Sequence, residues 1–371
     1  MSLNYEVQEG SFAAVPESLL RFHDRFRKGS GFNQGVETLS LYVRLLSVCF
    51  DLKDGREQRR CASISVDGTP VVFSHKVSAD QSSPSLRFIC EPGGVCTSTE
   101  QQVRTARQLL NALTAQLGWV SAQRETDEIL SHVIPDDPSR MDRWWGGMWL
   151  GAVFGDQILE IRVYVNLRDG DFFSRWQRVA DLLSPFADPL LVPVVRDWID
   201  SAGRVAIPVG VGMVLTSVGV PVVRIYLGIE HPGMDAIRVA RGSGFHCSDS
   251  LLAGFCERFQ ATYGPFGRQS MTVGYDFVRA PERTFRPVID RFKVDVSFGH
   301  LDRTSVPPPE EFICRQVMEA FPSAERSCSD FFENMEACFG GSEVEYFSLG
   351  TRDSTLREMT VYARPHGLRQ G

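Results

Sequence analysis

The chain has no excess of basic residues, no cysteines at metal-binding spacing and no apolar run of helical character, and each absence removes a class of function. Its 39 Lys and Arg stand against 46 Asp and Glu, for a net charge of -7 and a pI near 5.6. Binding a nucleic acid by counterion release needs a basic footprint that this balance lacks. The nine cysteines, at 49, 61, 90, 96, 247, 256, 314, 328 and 338, form no C-x-x-C pair, show no metal-like spacing with the seven histidines, and are odd in number. That usage fits reduced, mostly buried thiols in a cytosolic protein. The first residues, Met-Ser-Leu-Asn-Tyr-Glu-Val-Gln-Glu, lack the basic and then apolar stretch of a secretory signal, so a cytoplasmic protein is expected.

Two further absences concern motifs. Residues 206–223 are nearly uncharged and reach about the lower length of a membrane helix. Pro208, Pro221, Gly210, Gly212 and Gly219 interrupt the run among many valines, which predicts two strands joined at Ser217-Val218-Gly219 and no membrane span. Its Gly-Val-Gly core is followed by more β-branched residues and by no helix, so a dinucleotide-binding turn is excluded. There is also no D-D-x-x-D run, the nearest approach being Asp136-Asp137-Pro138-Ser139-Arg140.

What the chain does have is cations on strands. Four segments place one on the polar face of an apolar alternation: Leu159-Glu-Ile-Arg162-Val-Tyr164-Val-Asn166, Pro221-Val-Val-Arg224-Ile-Tyr226-Leu-Gly228, Asp290-Arg291-Phe-Lys293-Val-Asp295-Val-Ser297 and Ser85-Leu-Arg87-Phe-Ile-Cys90. Side chains alternate across a strand, so Ile161, Val163 and Val165 share one face while Glu160, Arg162, Tyr164 and Asn166 share the other. One Arg-x-Tyr on a strand is commonly a solvated face. Several with the same parity instead predict a surface suited to a polyanion, such as a phosphorylated small molecule.

Strand pairs recur along the chain: 69–77 with 85–92, 145–154 with 158–167, 205–216 with 220–229, 271–278 with 289–298, and 344–350 with 358–364. Helical patterns lie between them. Ser98-Thr-Glu-Gln101 reads as a capping box opening a helix closed by Gly118, and 172–186, 192–201, 248–263 and 309–321 are further candidates. The cations recur at 87, 162, 224 and 293, so a helix and hairpin unit repeated about five times is the simplest description. The fold class expected is α+β, a closed antiparallel barrel of about ten strands ringed by helices, with a polar lumen able to hold ligands. Hairpins without a helix after each strand argue against a parallel β/α barrel. No linker of domain-boundary quality interrupts the chain, so residues 1–371 read as one domain.

At the first hairpin, Thr69-Pro-Val-Val72-Phe-Ser74 followed by Leu86-Arg87-Phe-Ile-Cys-Glu91-Pro92 resembles the opening signature of aromatic prenyltransferases of the dimethylallyltryptophan synthase type. The Arg162-x-Tyr164 and Arg224-x-Tyr226 strands are similar to that family's Lys-x-Tyr strands. The resemblance spans roughly Ser63 to Pro365. It implies the ABBA fold, a ten-stranded PT barrel, and metal-independent transfer of a dimethylallyl group from its diphosphate to an aromatic ring, commonly the indole of tryptophan, in secondary metabolism. No cofactor beyond that co-substrate is implied, and the partners expected are small molecules acting on a monomer or homodimer.

By position in those motifs, Arg87, Arg162, Arg224 and Lys293 would hold phosphate oxygens, with Arg291 on the same strand face. Tyr164, Tyr226 and Tyr362 would bond the diphosphate and shield an allyl cation through their rings. The chain departs from the pattern twice. Asp295 stands where a tyrosine is expected, and Val72 stands where the family carries a glutamate that accepts the indole N-H. Glu91 is a candidate replacement or a structural ion-pair member, and Lys76 an added cation or a rim residue. Trp145, Met148 and Trp149 are candidate stacking partners for a planar acceptor, with Val214 and Thr216 possible lumen residues and His75 a core histidine. Acceptors left open are tryptophan, tyrosine, another indole or a phenol, and a non-catalytic barrel binding a phosphorylated ligand is the alternative of a different class.

Overall fold

The computed structural model describes residues 15–30, 36–50, 69–79, 85–92, 98–134, 147–155, 158–183, 196–197, 200, 205–241, 249–268, 270–279, 285–288, 291–299, 301, 306–353 and 355–368. The period-2 segments become strands β1 (Val71–Ser78), β2 (Leu86–Cys90), β3 (Met148–Phe154), β4 (Ile158–Asn166), β5 (Ala206–Thr216), β6 (Gly219–Ile229), β7 (Met271–Arg279), β8 (Phe285–Pro287), β9 (Arg291–Ser297), β10 (Ser342–Arg352) and β11 (Thr355–Pro365). Each pairs antiparallel with its hairpin partner. β1 also pairs with β11, and β6 with β7, which closes ten strands into a barrel. Short β8 lies on β7 beyond the reach of β9. Closure removes the open edges a sheet of this size would otherwise expose. The expected ten-stranded barrel is therefore present, with residues 206–223 in the β5–β6 hairpin and not in a membrane helix. Among the described residues no helix is long and apolar enough to cross a membrane.

Helices cover the outside. Thr99–Gln116 starts as the capping box predicts, with the Ser98 hydroxyl accepting from Gln101 N at 3.2 Å, and it ends before Gly118 in the left-handed region at φ 70°. Phe172–Leu183, Asp249–Tyr263 and Pro309–Ala320 match the other periodic segments within a few residues, while the helix expected over 192–201 lies mostly outside the described residues. The structure adds helices that hairpin reading passed over: Glu17–Ser30, Val36–Phe50, Val120–Val133, Met234–Arg241 and Glu325–Phe339. In Val120–Val133 the buried stripe is Ala122, Thr126, Ile129, Leu130 and Val133, a small and partly polar face that gives a weak apolar signal.

The core lies between barrel and helices. Ile161, Val163, Val165, Val211, Ile225, Leu227 and Phe73 point outward and are fully buried. Phe22 of the first helix meets Phe73 at 4.5 Å between ring centroids, and Phe88 stacks on Phe154 at 5.7 Å. Each such side chain contributes about 1.5–3 kcal/mol on burial, so the outward parity fixes which strand face turns inward.

His75 sits in this outer layer, as expected. Its Nε2 lies 3.0 Å from the Ser327 hydroxyl, and its ring stacks on Phe331 at 5.4 Å. Burial, and then the charge of Arg87, push its pKa down to about 4 from 6.5. Between those values the unfolded chain binds a proton that the folded chain refuses, so stability falls as pH drops through that window. The loss amounts to about 3 kcal/mol once pH is below 4. Urea unfolding of wild type and His75→Gln across pH 7 to 4 is expected to show a steeper acid limb for wild type, and equal slopes would contradict it.

Candidate active site

Closing the barrel turns every second residue into the lumen, where large polar side chains need room. Gly212 on β5 lies beside Tyr164 of β4 and Arg224 of β6. A Cβ there would stand 3.1 Å from the Tyr226 ring and 3.4 Å from that of Tyr164, so glycine admits both rings, whose centroids are 6.4 Å apart. Gly274 does the same for Arg224 and Lys293.

At the hairpin-turn end the lumen holds a cavity of about 410 Å³. Eight cationic side chains line it: Lys76, Arg87, Arg162, Arg224, Arg291, Lys293, Arg352 and Arg357. Among the described residues only three carboxylates join them, Glu160, Asp276 and Glu358. Each is paired: Glu160 accepts from Arg162 Nη2 at 2.7 Å, Asp276 accepts two bonds from Arg224, and Glu358 is bonded to Lys76. Lys293 pairs with Asp295 at 2.9 Å and donates to the Tyr362 hydroxyl at 3.3 Å.

Arg87 differs from these. It is 7% exposed, and its Nε meets no hydrogen-bond partner. Burial, then repulsion from Arg162, bring its pKa down to about 10. Burial alone would raise the Glu358 carboxyl, yet Lys76, Arg224 and Lys293 hold it near 2. For Tyr362 the same contest ends below the usual phenol value: burial raises it, and Lys293, Arg87 and Arg162 lower it further. These shifts describe a site with surplus positive charge, arranged to receive an anion.

The aromatic side chains lie next to the cations. Arg224 and Lys293 sit 5.9 and 6.0 Å from the Tyr226 ring centroid, and Lys293 5.4 Å from that of Tyr362. Arg87, Arg162, Arg224, Lys293, Arg291 and Tyr362 thus line one cavity, with Tyr226 against its cations and Tyr164 against Tyr226. Val72 faces inward opposite Ile89 and is 2% exposed. Glu91 has a partner within the protein, the indole N-H of Trp149 at 3.2 Å.

Met148 needs correction. It pairs with Val165, is 0% exposed and belongs to the layer under the helices, so it cannot stack an acceptor in the lumen. Parity is the cause, because Trp149, one residue on and opposite Tyr164, takes the inward position. Trp145 lies outside the described residues. Sequence reasoning passed over Asp276, Glu358, Arg357 and Tyr346 as site residues. Tyr346 faces Tyr362 across β10 and β11, and Glu358, Thr360 and Tyr362 alternate with Met359 and Val361, a period-2 signal that could have found that strand's inner face.

No protein-family model matches the chain, and no curated protein matches it. Solved structures do. It is similar in fold to 6-dimethylallyltryptophan synthase from Micromonospora olivasterospora in complex with DMASPP and Trp, at 18% identity and TM-score 0.70, covering 93% of this chain and 94% of that one. A second likeness, at 18% identity and TM-score 0.71, is to 5-dimethylallyl tryptophan synthase from Streptomyces coelicolor in complex with DMASPP and Trp, covering 98% and 96%. AnaPT from Neosartorya fischeri matches at 13% identity and TM-score 0.69 over 95% and 93%. At such identities the shared property is the fold, the ABBA or PT barrel.

Removing Arg87 should weaken anion binding selectively. Arg87→Met is expected to reduce inorganic diphosphate affinity about 10- to 100-fold by calorimetry, the range for a lost charge-assisted bond. The melting temperature should hold or rise, since a buried charge without a partner is removed; unchanged affinity would count against the assignment.

Proposed function

We propose that the chain is an aromatic prenyltransferase that moves a dimethylallyl group from dimethylallyl diphosphate to an aromatic acceptor, foremost the indole of L-tryptophan, without a metal ion. The observation that carries this reading is the buried Arg87, unpartnered at Nε, in a cavity of eight cations and three paired carboxylates, next to tyrosine rings. A diphosphate brings two to three negative charges into that surplus. The side chains then supply the counter-charge that a divalent ion supplies elsewhere.

Ionisation breaks the bond between the allylic carbon and its oxygen, and the electron pair leaves with the diphosphate. Arg87, Arg162, Arg224, Arg291 and Lys293 stabilise that growing charge, which is where preorganised donors act most strongly. The faces of Tyr164, Tyr226 and Tyr362 stabilise the cation left behind by about 0.5–2 kcal/mol each and keep water from it. A barrel that only bound phosphate would have no use for such rings.

The acceptor belongs on the tyrosine side of the cations. Trp149, its indole fixed by Glu91, offers a flat surface opposite Tyr164 for a planar ring to stack on. With Val72 inward, no carboxylate at that position receives a ring N-H. Tryptophan, tyrosine and simple indoles therefore belong in one panel.

The test is incubation of the purified protein with EDTA, dimethylallyl diphosphate and that panel, followed by mass spectrometry. The expected result is an acceptor heavier by one C5H8 unit, formed at the same rate with and without chelator. Absence of product on every acceptor, with diphosphate binding intact, would favour a phosphorylated-ligand-binding barrel. Product that disappears with EDTA would overturn metal independence alone.

A further inference from the structure

We propose that Asp295 is the proton acceptor that restores aromaticity to the alkylated ring, an inference that rests on the prenyl-transfer reading. On three strands the residue two positions beyond a lumen cation faces the same way: Tyr164 after Arg162, Tyr226 after Arg224, and Asp295 after Lys293. A spacing of two residues is about 6.6 Å along a strand. Asp295 therefore stands one step deeper than the cations, at the level of the rings.

Its surroundings agree with that depth. Asp295 is 8% exposed and pairs opposite Thr272 on β7 and Ser348 on β10, both on the lumen face. Tyr226, Tyr346 and Tyr362 all lie within electrostatic reach of it. The other carboxylates near the lumen are engaged elsewhere, since Glu160, Asp276 and Glu358 line the cation cavity, Glu91 holds Trp149, and Glu343 and Glu345 pair with Arg364. Among the described residues, Asp295 is the carboxylate that both bonds a leaving-group cation, Lys293, and lies within reach of the Tyr226 and Tyr362 rings.

The chemistry calls for a base at that place. After the allylic carbon bonds to a ring carbon, the ring is a cation carrying one C-H too many. That C-H breaks, its electron pair re-forms the aromatic system, and the proton passes to an Asp295 oxygen, leaving for solvent with the diphosphate and product. An arenium ion is a strong acid, so a carboxylate of ordinary basicity suffices. A bare carboxylate beside an allyl cation would also trap it as an ester. Asp295 accepts from Lys293, the Ser348 hydroxyl and, at 3.5 Å, the Thr272 hydroxyl, which occupy its lone pairs and lower its reactivity toward the allyl cation, while a proton as acidic as that of the arenium ion is still accepted. Its charge also opposes that of the cation across the ring belt.

The competing role is positioning, in which Asp295 only steadies Lys293. The two roles separate in the order of steps. In Asp295→Asn, with dimethylallyl diphosphate carrying ¹⁸O in the bridging position, ionisation and return are read as movement of the label to non-bridging oxygens, alongside product. Loss of the base is expected to cut product about 100-fold or more while label scrambling persists, so their ratio rises. A primary deuterium isotope effect should then appear with ring-deuterated acceptor. Asp295→Ala with added formate is the second variant, and restored product without the isotope effect is the expected result.

Scrambling and product falling together in Asp295→Asn, or neither changing, would overturn the assignment, as would formate failing to restore transfer in Asp295→Ala. Wild-type protein that neither scrambles label nor alkylates any acceptor would instead overturn the prenyl-transfer reading itself.

Discussion

Positive charge held out of water is the constraint on which the rest of this structure depends. Two unit charges 4 Å apart interact by roughly 4 kcal/mol at an effective dielectric of 20, so a lumen with eight cations repels itself strongly. The protein meets part of that cost with Glu160, Asp276, Glu358 and Asp295, each bonded to one cation. Arg87 and Arg357 each keep a buried Nε without a hydrogen-bond partner, and an anionic guest is the natural means of relieving that surplus. The site is thus balanced for a filled state more than for an empty one.

The fold makes that arrangement tolerable. A closed antiparallel barrel satisfies its own backbone, so strand ends and edges do not compete with the ligand for polar contacts. Apolar side chains facing the helices supply the burial that offsets the inner charge, and they lock strand register. Register then decides function: Gly212 beside Tyr164 and Arg224, and Gly274 beside Lys293 and Tyr226, make space where two large side chains meet. The lumen is graded along its axis, from arginine and lysine at the hairpin turns to tyrosine and tryptophan deeper in. That gradient suits a molecule with a charged head and an apolar tail.

Much of this was legible locally. Hairpin boundaries, the inward cations and the outward valines and isoleucines all follow from period-2 alternation, which is a property of neighbouring residues. Errors arose where one residue of parity mattered and no alternation marked it. In Met148-Trp149-Leu150 all three side chains are apolar, so the sequence pattern was silent about which face was inside, and Met148 was named beside Trp149 as a stacking partner although only Trp149 takes the inward position. The helix Val120–Val133 escaped notice because its buried face contains alanine and threonine. Glu91 read as an acceptor anchor or a structural ion-pair member, yet its carboxylate receives the indole N-H of a residue 58 positions away.

By itself, the sequence determined the strand pairs, the antiparallel barrel they imply, and a set of cations and tyrosines sharing one face, because alternation is written residue by residue along the chain. Tertiary structure alone decided which carboxylates neutralise which cations, that Arg87 Nε is left unbonded, and that Asp276 and Glu358 join Asp295 in the same lumen from separate strands. Those facts depend on closure of β1 on β11 and of β6 on β7, which joins strands separated widely along the chain. Electrostatic balance is a sum over space, and no local pattern records it.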